Sequence, residues 1–149
     1  MLEILHPEKI YTAVDYNEEI ISVVKSIKYL KNIEYLQVDA LNEREGVPKA
    51  NLTMCVNFEY HFDDQQLSDI FEMIYKNESD LLIITHTIAT PLRYLKSMTK
   101  HRNVKEGKLR YHGYERSEKL LKKIAKNAGL HFHLKYMSNQ YNALLFKRK

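Results

Sequence analysis

Two aspartates, Asp15 and Asp39, close two apolar runs near the start of the chain, in "KIYTAVDY" and "NIEYLQVDAL". A carboxylate at the carboxyl end of a strand can accept hydrogen bonds from paired hydroxyls, which is how open α/β sheets hold the ribose of a nucleotide-like ligand. Farther along, "NFEYHF" at 57–62 groups Asn57, Tyr60 and His61. His61 can take a proton from a reacting group. Each residue also has an ordinary role. Asp15 can cap the helix that follows it, Asp39 can form a turn, and His61 can be structural.

A basic group follows. Residues 89–114, "ATPLRYLKSMTKHRNVKEGKLRYHGY", carry seven Lys+Arg against one acid, with three tyrosines. Arg93, Tyr111 and His112 are the substrate-contact candidates here, since interleaved cations and aromatics can hold a phosphate or a stacked base. His86 and His101 are weaker candidates, and a solvated basic face is the simpler reading. Metal chemistry has little support. "HFH" at 131–133 alternates along a strand, and the single cysteine, Cys55, cannot build a zinc site. Cys55 lies in an apolar run with no activating cation beside it and reads as core.

The elements that must position these residues follow from period and caps. "YTAVD" reads as a strand. Asn17 can cap a helix with Glu18 and Glu19 in its first turn, and Ile20, Ile21, Val23, Val24, Ile27 and Leu30 form one stripe expected to be buried. "NIEYLQVDAL" is a second strand, ending in Asp39. "EREGVPKA" is a loop. "NLTMCVNF" is a third strand, apolar enough to be buried on both faces. Asp63 with Gln66 predicts a capping box opening a helix to about Lys76. "SDLLIITHT" is a fourth strand. Ser117 caps a last helix with Leu120, Leu121, Ile124, Ala125 and Ala128 as its stripe and Gly129 at the stop. "LHFHLKYM" and "NALLFKRK", joined by "SNQY", form an antiparallel pair.

The 149 residues, 44% hydrophobic and 28% charged, suffice for one α/β domain with its own core. A lone cysteine excludes an intramolecular disulfide and points to a reducing compartment. No apolar run of membrane-spanning length and no signal pattern is present, so the reading is a soluble, cytoplasmic protein without a membrane partner. The net charge of +4 conceals an asymmetry: residues 1–90 carry 7 Lys+Arg against 16 Asp+Glu, and residues 91–149 carry 16 against 3. A basic half can steer anionic small molecules or nucleic acid, although no nucleic-acid module is recognisable.

The order strand, helix, strand, strand, helix, strand, long loop, helix, strand, strand, with acids closing the first two strands, resembles the class I methyltransferases that use S-adenosylmethionine. The resemblance covers nearly the whole chain. It implies a Rossmann-like α/β sheet, mostly parallel, with an antiparallel C-terminal hairpin and helices on both faces. "YTAVDYNEEII" is similar to the family's second strand, which implies that Asp15, with Tyr16 beside it, contacts the cofactor ribose. "IEYLQVDAL" is similar to the third, implying that Asp39 and Ala40 border the adenine. "LTMCVNFEYHFDD" is similar to the fourth strand and the loop beneath the methyl donor. That match implies a cofactor contact for Asn57, an acceptor contact for Tyr60 and a catalytic base in His61. Nucleic-acid amino-methyltransferases often carry Asn/Asp-Pro-Pro-aromatic there. Phe58 and Glu59 replace both prolines, so the aromatic–histidine pair fits a small-molecule acceptor better.

The family's glycine-rich turn, which admits the methionine part of the cofactor, ends a strand that would precede "MLEILHPEK". None of the fourteen residues before Asp15 is glycine. The sheet therefore reads as truncated, and the strands ending at Asp15 and Asn57 are expected to pair directly, or a second copy is expected to cover the gap as a homodimer. Two functions stay open. One is a methyltransferase acting on a small molecule or acidic ligand; the other is a non-catalytic binding or assembly module with the same fold.

Overall fold

A computed structural model describes residues 9–27, 33–85, 113–114, 116–137 and 141–149. The chain divides into two compact units, residues 1–48 and 49–149.

The first unit is a strand, a helix and a parallel strand. β1 (Tyr11–Asp15) and β2 (Ile33–Gln37) pair in parallel, with Asp15 opposite Gln37. Between them runs α1 (Glu18–Lys25). Its start is a local matter: the Asn17 side chain accepts from the amides of Glu19 and Ile20, and Glu18 and Glu19 sit at the positive end of the dipole. The continuous buried stripe predicted for this helix does not form. Among its described residues only Ile21 is buried, while Ile20 and Val23 stay exposed. One helix over a two-stranded sheet has room to bury a single narrow row, and the flanking row is left in solvent. β2 is also shorter than predicted: it stops at Gln37, two residues before Asp39.

The second unit is a four-stranded sheet in the order β3-β4-β6-β5. β3 (Leu52–Val56) and β4 (Asp80–Thr85) are parallel and joined through α2 (Asp64–Lys76). After α3 (Glu118–Asn127), β5 (His131–Met137) and β6 (Asn142–Lys147) form the predicted antiparallel pair, and β6 inserts antiparallel beside β4. The mostly parallel α/β architecture with its antiparallel C-terminal strands is thus present. The core lies between this sheet and helices α2 and α3, which also touch each other and so share one face. It is built from Leu67, Ile70 and Phe71 of α2, Leu81 and Ile83 of β4, Leu121 and Ala125 of α3, and Leu144 and Phe146 of β6.

One expectation about the strands is corrected. β3 is not buried on both faces: Cys55 is buried, but Leu52, Met54 and Val56 are 44%, 56% and 53% exposed. Only one row is covered, and strand alternation turns the other outward. Among the described residues β1 pairs with β2, and β3 pairs with β4. Each of these parallel pairs is joined through its own helix within its own unit.

Candidate functional site

At the carboxyl edge of the first unit, β1 and β2 run in parallel register, and the Val38 amide donates to the Asp15 carbonyl at 3.0 Å. Asp15 is half-buried. Its Oδ1 accepts from the Asn17 amide at 2.8 Å, so Asn17 is the helix cap and Asp15 orients it. Asp15 Oδ2 has no hydrogen-bond donor among the described residues. Tyr16 is 73% exposed, and the Gln37 side chain reaches its carbonyl at 3.4 Å.

Asp39 is largely committed to its own turn. Its Oδ1 accepts from the amides of Leu41 and Asn42, and its Oδ2 accepts from Asn42 Nδ2 at 2.7 Å. The Asn42 side chain, followed by the Leu41 amide, holds this carboxyl below its ordinary 3.8. Asp39 therefore makes the ordinary turn its type allows, and Ala40, half-buried, is part of that turn.

In the second unit, β3 is followed by Asn57, whose φ of +50° is a left-handed conformation that asparagine tolerates better than most residues. Its amide donates to the Ile84 carbonyl at 2.8 Å, extending the ladder by one step. A single 3-10 turn, Glu59–His61, then carries the aromatic–histidine pair. The rings of Tyr60 and His61 stack at 4.2 Å with a 37° tilt, and His61 is exposed. Beneath them Glu59 is buried and accepts from the Thr85 hydroxyl at the end of β4.

Four residues of this site were not singled out by sequence reasoning: Glu59, Thr85, Gly113 and Arg116. Arg116 is 3% exposed. Its Nη1 donates to the Glu59 carbonyl at 2.8 Å, its Nη2 to the Phe62 carbonyl at 2.6 Å, and its Nε to Asp64 Oδ1 at 2.7 Å. The Tyr114 amide donates to the Tyr60 carbonyl at 2.7 Å, and the Tyr114 ring lies 5.3 Å from the Arg116 guanidinium. Glu59 did carry a signal, as the one acid in an otherwise apolar and aromatic stretch. Arg116 carried none, being one cation in a strongly basic half.

Part of that basic half is spent locally. Glu118 takes Lys122 on one oxygen and Lys135 on the other, both at 2.6 Å, and these bonds hold its carboxyl below the usual range. Lys122 also sits 3.3 Å from the centre of the Phe132 ring. Burial, with the Glu59 charge added, pushes the Cys55 thiol up to about 12, which suits a core cysteine. Among the described residues no group of three or more His, Cys, Asp or Glu could hold a metal, and no helix is long and apolar enough to cross a membrane. His86, Arg93, His101, Tyr111 and His112 lie outside the described residues.

No sequence family matches the chain, and no characterised protein matches it by sequence. Solved structures do match. Human N-acetylserotonin methyltransferase in complex with S-adenosylmethionine (SAM) aligns with a TM-score of 0.70 at 19% identity, over 92% of this chain and 40% of its own. Magnesium protoporphyrin IX methyltransferase from Synechocystis PCC 6803, with bound S-adenosylhomocysteine (SAH), gives 0.69 at 15% identity, over 93% of this chain and 64% of its own. The fold is the methyltransferase fold. LepI in complex with SAM shares it, with a TM-score of 0.70 at 17% identity, over 96% of this chain and 38% of its own. The chain spans less than two thirds of the length of each of these three proteins. A structure described as a pericyclic reaction enzyme shares the fold as well, at 17% identity, so the methyltransferase fold does not by itself name a reaction.

Proposed function

We propose that the chain is a methyltransferase-type protein whose first unit binds SAM through Asp15 and whose second unit offers the Asn57–Phe62 turn to a small, anionic molecule. The observation that carries this reading is the state of Asp15. It stands at the carboxyl edge of a parallel pair, one oxygen oriented by the Asn17 amide and the other without a protein donor among the described residues. A ribose diol offers two donors to such a carboxylate, so the residues present fit that end of the cofactor. SAM or SAH in the neighbouring structures supports the same ligand class. Asp39, with its oxygens engaged by its own turn, is not a free acceptor for the same ligand.

When bound, SAM supplies an electrophilic methyl group. The chain's own residues would orient the acceptor and take its proton. His61 is exposed on the turn, and an imidazole there can receive a proton from an acceptor hydroxyl. Tyr60, stacked against it, offers an aromatic surface and a hydroxyl. The seven Lys+Arg against one acid in residues 89–114 support an anionic acceptor.

Isothermal titration with SAH tests the reading. Saturable binding is expected, and Asp15→Ala should weaken it about tenfold or more, since hydrogen bonds to a charged group contribute about 1.5–3 kcal/mol. No binding by folded wild-type protein, or equal binding by Asp15→Ala, would overturn it.

A further inference from the structure

The Glu59–His61 turn is held from outside itself. Among the described residues its backbone carries a bond from the His61 amide to the Phe58 carbonyl at 3.2 Å. The carbonyls of Glu59, Tyr60 and Phe62 are taken by Arg116 Nη1, the Tyr114 amide and Arg116 Nη2. All three of these donors come from residues 114–116, more than fifty positions along the chain. The His61 ring has no hydrogen bond among the described residues, so its direction follows from the backbone of the turn and from stacking on Tyr60.

We infer that Arg116 is a positioning residue: its buried guanidinium bridges the Glu59 and Phe62 carbonyls and thereby sets where Tyr60 and His61 point. The two carbonyls bracket the residues in question, one on each side of Tyr60 and His61. A planar fork with donors fixed in direction can serve both while its Nε holds Asp64 at the first residue of α2. The Lys ammonium is a compact point charge and cannot span the same three acceptors. At 3% exposure water cannot replace the guanidinium readily, so its loss strands the buried Glu59 carbonyl and releases the turn. The catalytic meaning of His61 rests on the function proposed above; the positioning of His61 by Arg116 does not.

The test is nuclear magnetic resonance on the full chain, with histidine rings isotope-labelled. In the wild type the His61 ring protons are displaced by the Tyr60 ring current, and Tyr60→Leu supplies the undisplaced reference. Arg116→Lys should move the His61 signals at least halfway to that reference while the core methyl signals of Leu81 and Leu144 stay in place. Asp64→Ala, which removes only the exposed acceptor, should leave His61 where it is. Unchanged His61 signals in folded Arg116→Lys overturn the inference.

Should Arg116→Lys not fold, the wild type decides. A guanidinium locked on two carbonyls shows separate, slowly exchanging Nη–H signals, and a single averaged signal overturns the inference. SAH titration is read separately. Absent SAH binding with an Arg116-dependent His61 shift removes the proposed function and leaves the positioning role standing, and the reverse result does the opposite.

Discussion

Gly113 lies against the backbone of Tyr60, fifty-three positions earlier in the chain: a Cβ on Gly113 would stand 2.0 Å from the Tyr60 carbonyl oxygen. The same glycine has φ +58°, in the left-handed region. Gly113→Ala therefore meets both backbone strain and a clash with backbone that cannot swing aside. A loss of about 2 kcal/mol or more is expected in urea unfolding, on the scale of strained backbone positions. Wild-type stability in that variant would contradict the close approach.

Glu118 predicts a pH signature. Its folded carboxyl is held below the ordinary 4.5 by Lys122 first and Lys135 second. A group with a depressed folded value contributes stability that is fully present above the unfolded value and is lost as pH falls through the folded one. Glu118→Gln should thus lower the Tm at pH 7, and its Tm should converge on that of the wild type in acid well below pH 4.5. A difference that holds constant into strong acid would show that the two lysine bonds are not the cause.

β3 and β4 separate a half-covered strand from a central one. Met54 is 56% exposed and Ile83 is fully buried. Met54→Lys should stay within about 0.5 kcal/mol of the wild type, as surface substitutions do. Ile83→Ala should cost about 2–5 kcal/mol through lost burial and a cavity. Equal costs in denaturant titrations would restore the both-faces burial that the apolar run suggested.

Cys55 should be inert in the folded protein. With its thiol pushed up to about 12 inside the core, almost none of it is thiolate at pH 8. Labelling by a disulfide reagent is expected to be at least ~100-fold slower in native protein than in urea-unfolded protein, limited by transient opening. Rapid native labelling would place the thiol at an accessible surface.

The sequence by itself determined the features whose hydrogen bonds close within a few residues. Asn17, the Asp63–Gln66 capping box and Ser117 open α1, α2 and α3 where their types and spacing require, and Gly129 follows α3 at φ +90°. Asp39 was legible in its turn role for the same reason, since all its partners lie within four positions. The antiparallel close followed from its two apolar runs and the short turn between them.

Tertiary structure alone decided the rest. An apolar run states that a strand can be buried but not on how many sides, so the outward row of β3 was invisible until its neighbours were placed. Likewise the Asn57–Phe62 turn was readable as a chemical group, whereas its restraint was not. Arg116 reaches Glu59 across 57 residues, and nothing local to either position selects that partner over any other carbonyl. Caps and turns are chosen by bonds between near neighbours, which composition and spacing record. Burial, and the direction in which a side chain points, depend on which distant segments the fold brings into contact.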